Sequence, residues 1–289
     1  MLVWRKLSSE KWVDSWQERL AFLGPERLVI TQIANTRRMR LEILDITSEE
    51  SEVLRKRLGG EIRDLNYPNA DWVQSFILKK PISIRGRLRI VNVEPASGAL
   101  DADTIYIPAN LAFGTGEHFT TAGCLRLLVD IAPRSGDWNF LDAGTGTGIL
   151  AIAACKLGAS QVLAFDVDAT AVRIAKSNAS INRVRGLRVT RADVLKHHTE
   201  QSFDIVAANL CGDLFCSAAP NLWPAMKPTG RIIISGVMRD QVEAVVKVIG
   251  HMKGQIESMR VRGKWVTLLA RKHAKTLSKS LVENTRRDM

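Results

Sequence analysis

The chain has 289 residues, 46% of them hydrophobic, with a formal net charge of +11 at pH 7. That length suits one large domain plus a small one, and no window approaches the roughly 18 uncharged apolar residues of a membrane span. The N-terminus, Met-Leu-Val-Trp-Arg-Lys, lacks a signal-peptide core. Cys124, Cys155, Cys211 and Cys216 form no C-x-x-C pair and have no histidine at metal spacing, so buried thiols in a reducing cytoplasm, no metal and no membrane contact are expected.

Ser9 to Leu23 carries apolar residues at Trp12, Val13, Trp16, Leu20 and Leu23 and reads as a helix with Ser9 as its cap. Leu28–Ile33 and Met39–Leu44 read as strands, and Ser48–Leu58, closed by Gly59-Gly60, as a second helix. Residues 1–62 are therefore expected to be a small α+β domain of the ferredoxin-like kind. Residues 63–75, charged and broken at Asn66-Tyr67-Pro68-Asn69, read as a linker. A larger domain over 76–272 opens with the strand-like stretches Ile82–Ile84 and Leu88–Val93. Further strands are expected at 138–143, 161–165, 187–190, 203–208 and 231–235, the last after the turn Lys227-Pro228-Thr229-Gly230. A helix over Val242–Met252 and a hairpin of Ile256–Val261 with Trp265–Ala270 complete it. Strands alternating with helices make an open, mostly parallel, doubly wound α/β sheet, here of seven strands with an antiparallel one at the end. Residues 273–289 read as a flexible tail.

The densest information lies at Trp138-Asn-Phe-Leu-Asp-Ala-Gly-Thr-Gly-Thr-Gly148, an apolar strand running into an acid and three alternate glycines. Glycines at 144, 146 and 148 let backbone amides approach a ligand closely, and apolar, alanine-rich Ile149–Leu157 makes the turn open a buried helix. A dinucleotide site wants G-x-G-x-x-G; here the third glycine comes one residue early. Asp142, two residues before Gly144, reads as a carboxylate that repels a pyrophosphate and suits a cationic, amine-bearing ligand such as S-adenosylmethionine. Asp166 follows the next strand at the spacing where a Rossmann-like unit binds a ribose diol, and Asp168 is the alternative helix cap. Asn209 ends the fourth strand of the large sheet, where ligands of open sheets lie.

Upstream, Ala112-Phe-Gly-Thr-Gly-Glu-His-Phe-Thr-Thr121 reads as a loop that folds over a ligand and docks on a helix start. Phe113 is positioned to cover the ligand and Thr121 to reach it. The positive charge gathers at Lys79, Lys80, Arg85, Arg87, Arg89, Arg183–Arg191 and Arg260–Lys264, whereas residues 1–75 are neutral with 12 basic and 12 acidic side chains. Solvated faces account for such scatter; a surface touching RNA is the alternative.

Together these stretches resemble the PrmA family, the ribosomal protein L eleven methyltransferases. The family's loop A-F-G-T-G-x-H-x-T-T is matched from Ala112 to Thr121, and D-x-G-x-G-x-G-I-L-A-I-A-A-x-K-L-G-A from Asp142 to Ala159. Asp166, Ala208-Asn209 and the tryptophan strand at Trp265 match as well, so the resemblance spans 108–272. It implies a seven-stranded class I methyltransferase (Rossmann-like) sheet, S-adenosyl-L-methionine as cofactor and cofactor contacts at Thr121, Gly144, Asp166 and Asn209. It also implies that amino groups of ribosomal protein L eleven are methylated, with the N-terminal domain recognising that protein. Glu117, Phe119 and the run Leu210-Cys-Gly-Asp213 depart from the family pattern on the substrate side. No general base is assigned; Glu117, His118 and Asp213 are the candidates. A monomer is expected. Another protein lysine or a small amine as acceptor, and a non-catalytic ribosome- or RNA-associated module, are the alternative readings.

Overall fold

The computed structural model describes residues 2–20, 23, 27–33, 36–44, 46–64, 81–92, 101–108, 116 and 118–272. Within them lie three sheets of four, three and seven strands.

The first sheet is built by β1 (Leu2–Ser9), α1 (Val13–Leu20), β2 (Leu28–Gln32), β3 (Arg38–Ile43), α2 (Ser48–Leu58) and β4 (Glu61–Asp64). Its order β2-β3-β1-β4, with every neighbour antiparallel, is the ferredoxin-like arrangement. A capping box starts α2: Glu50 N–H donates to Thr47 Oγ1 at 3.1 Å and Thr47 N–H to Glu50 Oε2 at 2.9 Å. Trp4, Trp16, Leu20, Leu41, Ile43 and Leu54 fill the core between helices and sheet. The first helix is shorter than expected. Ser9 belongs to β1, Glu10–Trp12 form a 3-10 turn, and only Val13–Leu20 is α-helical. Neither β1 nor β4 stands out in the sequence, because β4 has a single apolar residue, Ile62, which pairs opposite Trp4. It also carries strand through Arg63 and Asp64, into the segment expected as linker; residues 65–75 lie outside the described residues, as does the tail 273–289.

β5 (Ile82–Ile84), β6 (Leu88–Val91) and β7 (Thr104–Tyr106) form the three-stranded sheet. They stand apart from the large sheet, and Ile84, Leu88, Ile90 and Ile105 pack into its core.

The seven-stranded sheet contains β8 (Asn139–Ala143), β9 (Gln161–Asp166), β10 (Leu187–Arg191), β11 (Phe203–Asn209), β12 (Met226–Met238), β13 (Gly254–Arg262) and β14 (Trp265–Lys272). Their order is β10-β9-β8-β11-β12-β14-β13, parallel except for β14 against its two neighbours. Every strand expected from the sequence is present. β12 is longer than expected: the turn at 227–230 is its irregular opening, marked by a register shift against β11. Helices α3 (Phe119–Ile131), α4 (Ile149–Lys156), α5 (Ala169–Ile181), α6 (Gly212–Leu222) and α7 (Val242–His251) cover the sheet. Strand residues alternate between two cores. Ile205 and Ala207 join Leu125, Leu128, Ile152 and Ala175 on one face; Val206 and Ala208 join Phe215, Leu222, Val245 and Ile249 on the other. Because α4 is buried from Ile149 to Ala154, it needs apolar residues on every side, hence its alanines.

Candidate functional site

The strand order reverses between β8 and β11, and this switch point is where an open α/β sheet leaves a crevice at its carboxyl edge. Ala143 pairs with Phe165 on one side and Ala208 on the other, so Gly144, Asp166 and Asn209 emerge level from three adjacent strands. Three of the four residues expected in the site are thus brought together by register alone. Thr121 comes from the first turn of α3.

The glycine turn has φ of 74° at Gly144, 54° at Gly146 and 82° at Gly148, left-handed values that side chains rarely adopt. A Cβ at Gly144 would lie 2.6 Å from Leu210 Cδ2, and one at Gly148 3.1 Å from Ala175 Cβ. The turn spends most of its amides on the protein itself. Gly144 and Thr145 both donate to the Phe165 carbonyl, at 2.9 and 3.0 Å, Gly148 donates to the Thr145 carbonyl at 2.9 Å, and Gly146 to Asp166 Oδ2 at 3.0 Å. A pyrophosphate needs such amides free, so the arrangement disfavours a dinucleotide on firmer grounds than glycine spacing.

Asp142 does not face a ligand, contrary to the sequence-based expectation. It is 1% exposed and its Oδ2 accepts from Thr145 Oγ1 at 2.6 Å and from Ala151 N–H at 3.2 Å, tying the turn to the start of α4. Burial pushes its carboxyl up to about 7 against the hydrogen bonds that lower it. The chain's signal for a cationic ligand therefore does not come from this residue.

Asp166 is free for a ligand in the sense that matters. Asp168 caps α5, accepting from Thr170 N–H at 2.8 Å, so Asp166 is not needed there. Its two oxygens each accept one backbone N–H, Oδ2 from Gly146 and Oδ1 from Asp168, both at 3.0 Å. These bonds orient the carboxylate and leave each oxygen a further lone pair, a pair of acceptors onto which two vicinal hydroxyls can donate.

Thr121 Oγ1 and Asn209 Oδ1 are buried without a hydrogen-bond partner among the described residues. Each such orphan costs about 1–3 kcal/mol for as long as no group reaches it. His118 is accounted for structurally. It caps α3, its Nδ1 bonded to Thr120 Oγ1 at 2.7 Å, and its ring stands edge-on to Trp265 at 5.3 Å. Asp213 is exposed in the first turn of α6. Phe113 and Glu117 lie outside the described residues.

Sequence reasoning missed the supports. Leu210 roofs Gly144, and Gln241 Oε1 accepts from Gly212 N–H at 3.3 Å and Met238 N–H at 3.2 Å, fixing the loop after Asn209. Buried Asn178 donates Nδ2 to the Thr147 carbonyl at 2.8 Å, holding the turn from α5. A signal for it existed: Asn178 falls on the same helix face as buried Val172 and Ala175. Of the four thiols, Cys124 is buried, and its desolvation raises it to about 12; Cys211 is exposed, contrary to expectation, because it caps α6 at the rim of the crevice.

Comparison with known proteins places this geometry. Residues 13–273 match the family described as "Ribosomal protein L11 methyltransferase (PrmA)". A ribosomal protein L11 methyltransferase of an Exiguobacterium species is 33% identical over 237 residues, covering 80% of this chain and 75% of that one. That of Caldicellulosiruptor saccharolyticus is 32% identical over 212 residues, 73% of this chain and 68% of its own. The crystal structure of ribosomal protein L11 methylase from Lactobacillus delbrueckii subsp. bulgaricus superposes with a TM-score of 0.59 at 29% identity, over 67% of this chain and 99% of that one. With the crevice, the glycine turn and these matches in agreement, the chain belongs to the PrmA family of ribosomal protein L11 methyltransferases.

Proposed function

We propose that this methyltransferase places methyl groups on amino groups of ribosomal protein L11, a lysine ε-amine or the N-terminal α-amine, using S-adenosylmethionine held at Asp166, Gly144, Thr121 and Asn209. The observation that carries the acceptor is the extent of the family match, which runs from residue 13 through both the ferredoxin-like sheet and the large sheet. The first is proposed to recognise the protein substrate. A monomer in the cytoplasm, with any RNA contact peripheral, completes this reading; among the described residues no helix is long and apolar enough to cross a membrane.

The residues present fit the cofactor. Asp166 offers paired acceptors for its ribose, the bare Gly144 leaves room for its backbone, and the unpartnered oxygens of Thr121 and Asn209 supply acceptors for its ammonium and hydroxyl groups. When bound, S-adenosylmethionine supplies a methyl group already activated on a sulfonium. The protein's task is then to align the acceptor amine and exclude water. Since a lysine amine has a pKa near 10.4, only about one in a few thousand is neutral at pH 7; desolvation in a closed crevice raises that fraction.

Incubation with methyl-labelled S-adenosylmethionine and purified L11, beside total ribosomes and bulk RNA, is expected to label L11. Label on RNA alone, or on none of them, refutes the proposal. A second expectation concerns Thr121. Thr121→Val removes the orphaned hydroxyl, so the ligand-free chain should be as stable or about 1 kcal/mol more stable, while cofactor affinity drops roughly five- to tenfold. Unchanged affinity by calorimetry removes Thr121 from the site.

A further inference from the structure

Beyond the crevice, one face of α3 meets the β5–β6 turn and β13 in a cluster of arginines. Phe119, Arg126 and Asp130 lie along a single stripe of α3, at spacings of seven and four residues, about 16 Å from end to end. Arg85 from the turn reaches Asp130 Oδ1 with Nε at 3.1 Å, and Arg260 from β13 reaches Oδ2 at 3.0 Å. Arg87 donates to the Val129 carbonyl at 3.0 Å. Arg262, two residues beyond Arg260 and on the same face of β13, places its guanidinium 4.1 Å from the centre of the Phe119 ring.

Arg126 sits in the middle of these and has neither an ion pair nor a hydrogen bond among the described residues. Partial burial, and then the like charges of Arg262, Arg85 and Arg260, hold its guanidinium below its ordinary value. Of the five guanidiniums gathered here, two share the Asp130 carboxylate and the other three have no carboxylate partner among the described residues. Arg85 even adopts a left-handed φ of 55°, followed by Gly86 at 66°, a conformation that Gly or Asn takes more readily. A chain that needed this face only to be soluble would not gather cations around an unpaired one.

Phosphates and carboxylates both satisfy guanidinium forks. The ring decides between them: Phe119 is 37% exposed and already stacked by Arg262, a flat platform that a base can extend and an acidic peptide cannot use. No aromatic-basic interleaving is visible along the sequence, because the fold brings residues 119 and 262 together from 143 positions apart. We propose that Arg85, Arg126, Arg260 and Arg262, with Phe119, form a docking surface for unpaired RNA, guanidiniums on successive phosphates and a base against Phe119. This goes beyond protein methylation, which by itself asks nothing of RNA.

The test uses the full chain and a fluorescein-labelled single-stranded RNA followed by anisotropy over a range of salt. Binding should weaken with salt on a linear log–log plot, and the triple variant R85Q/R126Q/R260Q should lower the slope by about 2, near 0.7 per lost phosphate contact. Phe119→Ala should weaken binding roughly fivefold or more without changing the slope. No binding at the lowest salt, or an unchanged slope in the triple variant, overturns the proposal. So does polyglutamate displacing the RNA as well as unlabelled RNA does, since the surface would then suit acidic protein. Should the triple variant melt early, R126Q alone, which breaks no ion pair, must still reduce the slope. The triple variant should methylate free L11 at the unmodified rate; a loss there assigns the arginines to the protein substrate and overturns the RNA reading. Failure of the unmodified chain to methylate L11 while RNA still binds would instead sink the proposed function alone.

Discussion

Asp166→Ala is expected to lower affinity for S-adenosylmethionine at least about a hundredfold while the chain remains folded. The carboxylate offers two oriented oxygens to a diol, and each charge-assisted hydrogen bond is worth about 1.5–3 kcal/mol. Its neighbours Gly146 N–H and Asp168 N–H, which hold it now, lie at the sheet's edge where water can replace it, so the fold should lose only about 1–2 kcal/mol. Asp166→Asn retains one acceptor oxygen and should fall between the two. Titration calorimetry with S-adenosylhomocysteine reads the affinity directly, and thermal unfolding reads the fold. If alanine at 166 leaves affinity within a few fold, the ribose is held elsewhere and the crevice has been misread.

The second large effect belongs to Asp142 and to pH. Its carboxyl rises from 3.8 in the unfolded chain to about 7 in the folded one, because burial outweighs the Thr145 and Ala151 bonds. Between those values the folded chain keeps a proton that the unfolded chain has released. Stability therefore declines as pH climbs through that window and levels off above it, by up to about 4 kcal/mol in all. Asp142→Asn imitates the neutral acid and should flatten the profile between about pH 4 and pH 7. Glu50 works in the opposite sense and mostly below this window: its bonds to Arg27 and to the Thr47 amide lower it from 4.5 to about 2, so its contribution disappears only in acid. Urea midpoints measured across the range decide the matter; a native profile as flat as the asparagine variant's removes Asp142 as the cause.

What was legible in the chain was local. The strand into three glycines, the acid after the next strand and the Asn after the fourth each lie within a few residues of the element that positions them. Strand register then sets Gly144, Asp166 and Asn209 level without further instruction. Long apolar periods were also readable, hence all seven large strands. Two short strands were not: β7 has three residues and β4 one apolar side chain, and each is fixed by pairing with a neighbour, β6 and β1. Asp142 was misassigned for the same reason. Proximity to the turn was visible, but its direction depends on Thr145 and Ala151, which the helix start places above it. Leu210 over Gly144, Gln241 behind Gly212 and Arg262 on Phe119 join distant positions, and no local pattern announces them.

α5 grips two places at once. Asn178 holds the Thr147 carbonyl, and one helical turn later Asn182 clamps Tyr106 of β7 by both its N–H and its carbonyl, at 2.8 and 2.7 Å. Deleting or inserting a single residue ahead of Asn178 would swing both amides about 100° around the helix axis, unlatching the glycine turn and the small sheet together. Length variation among sister sequences should accordingly skip this helix altogether and collect in the connections on either side of it.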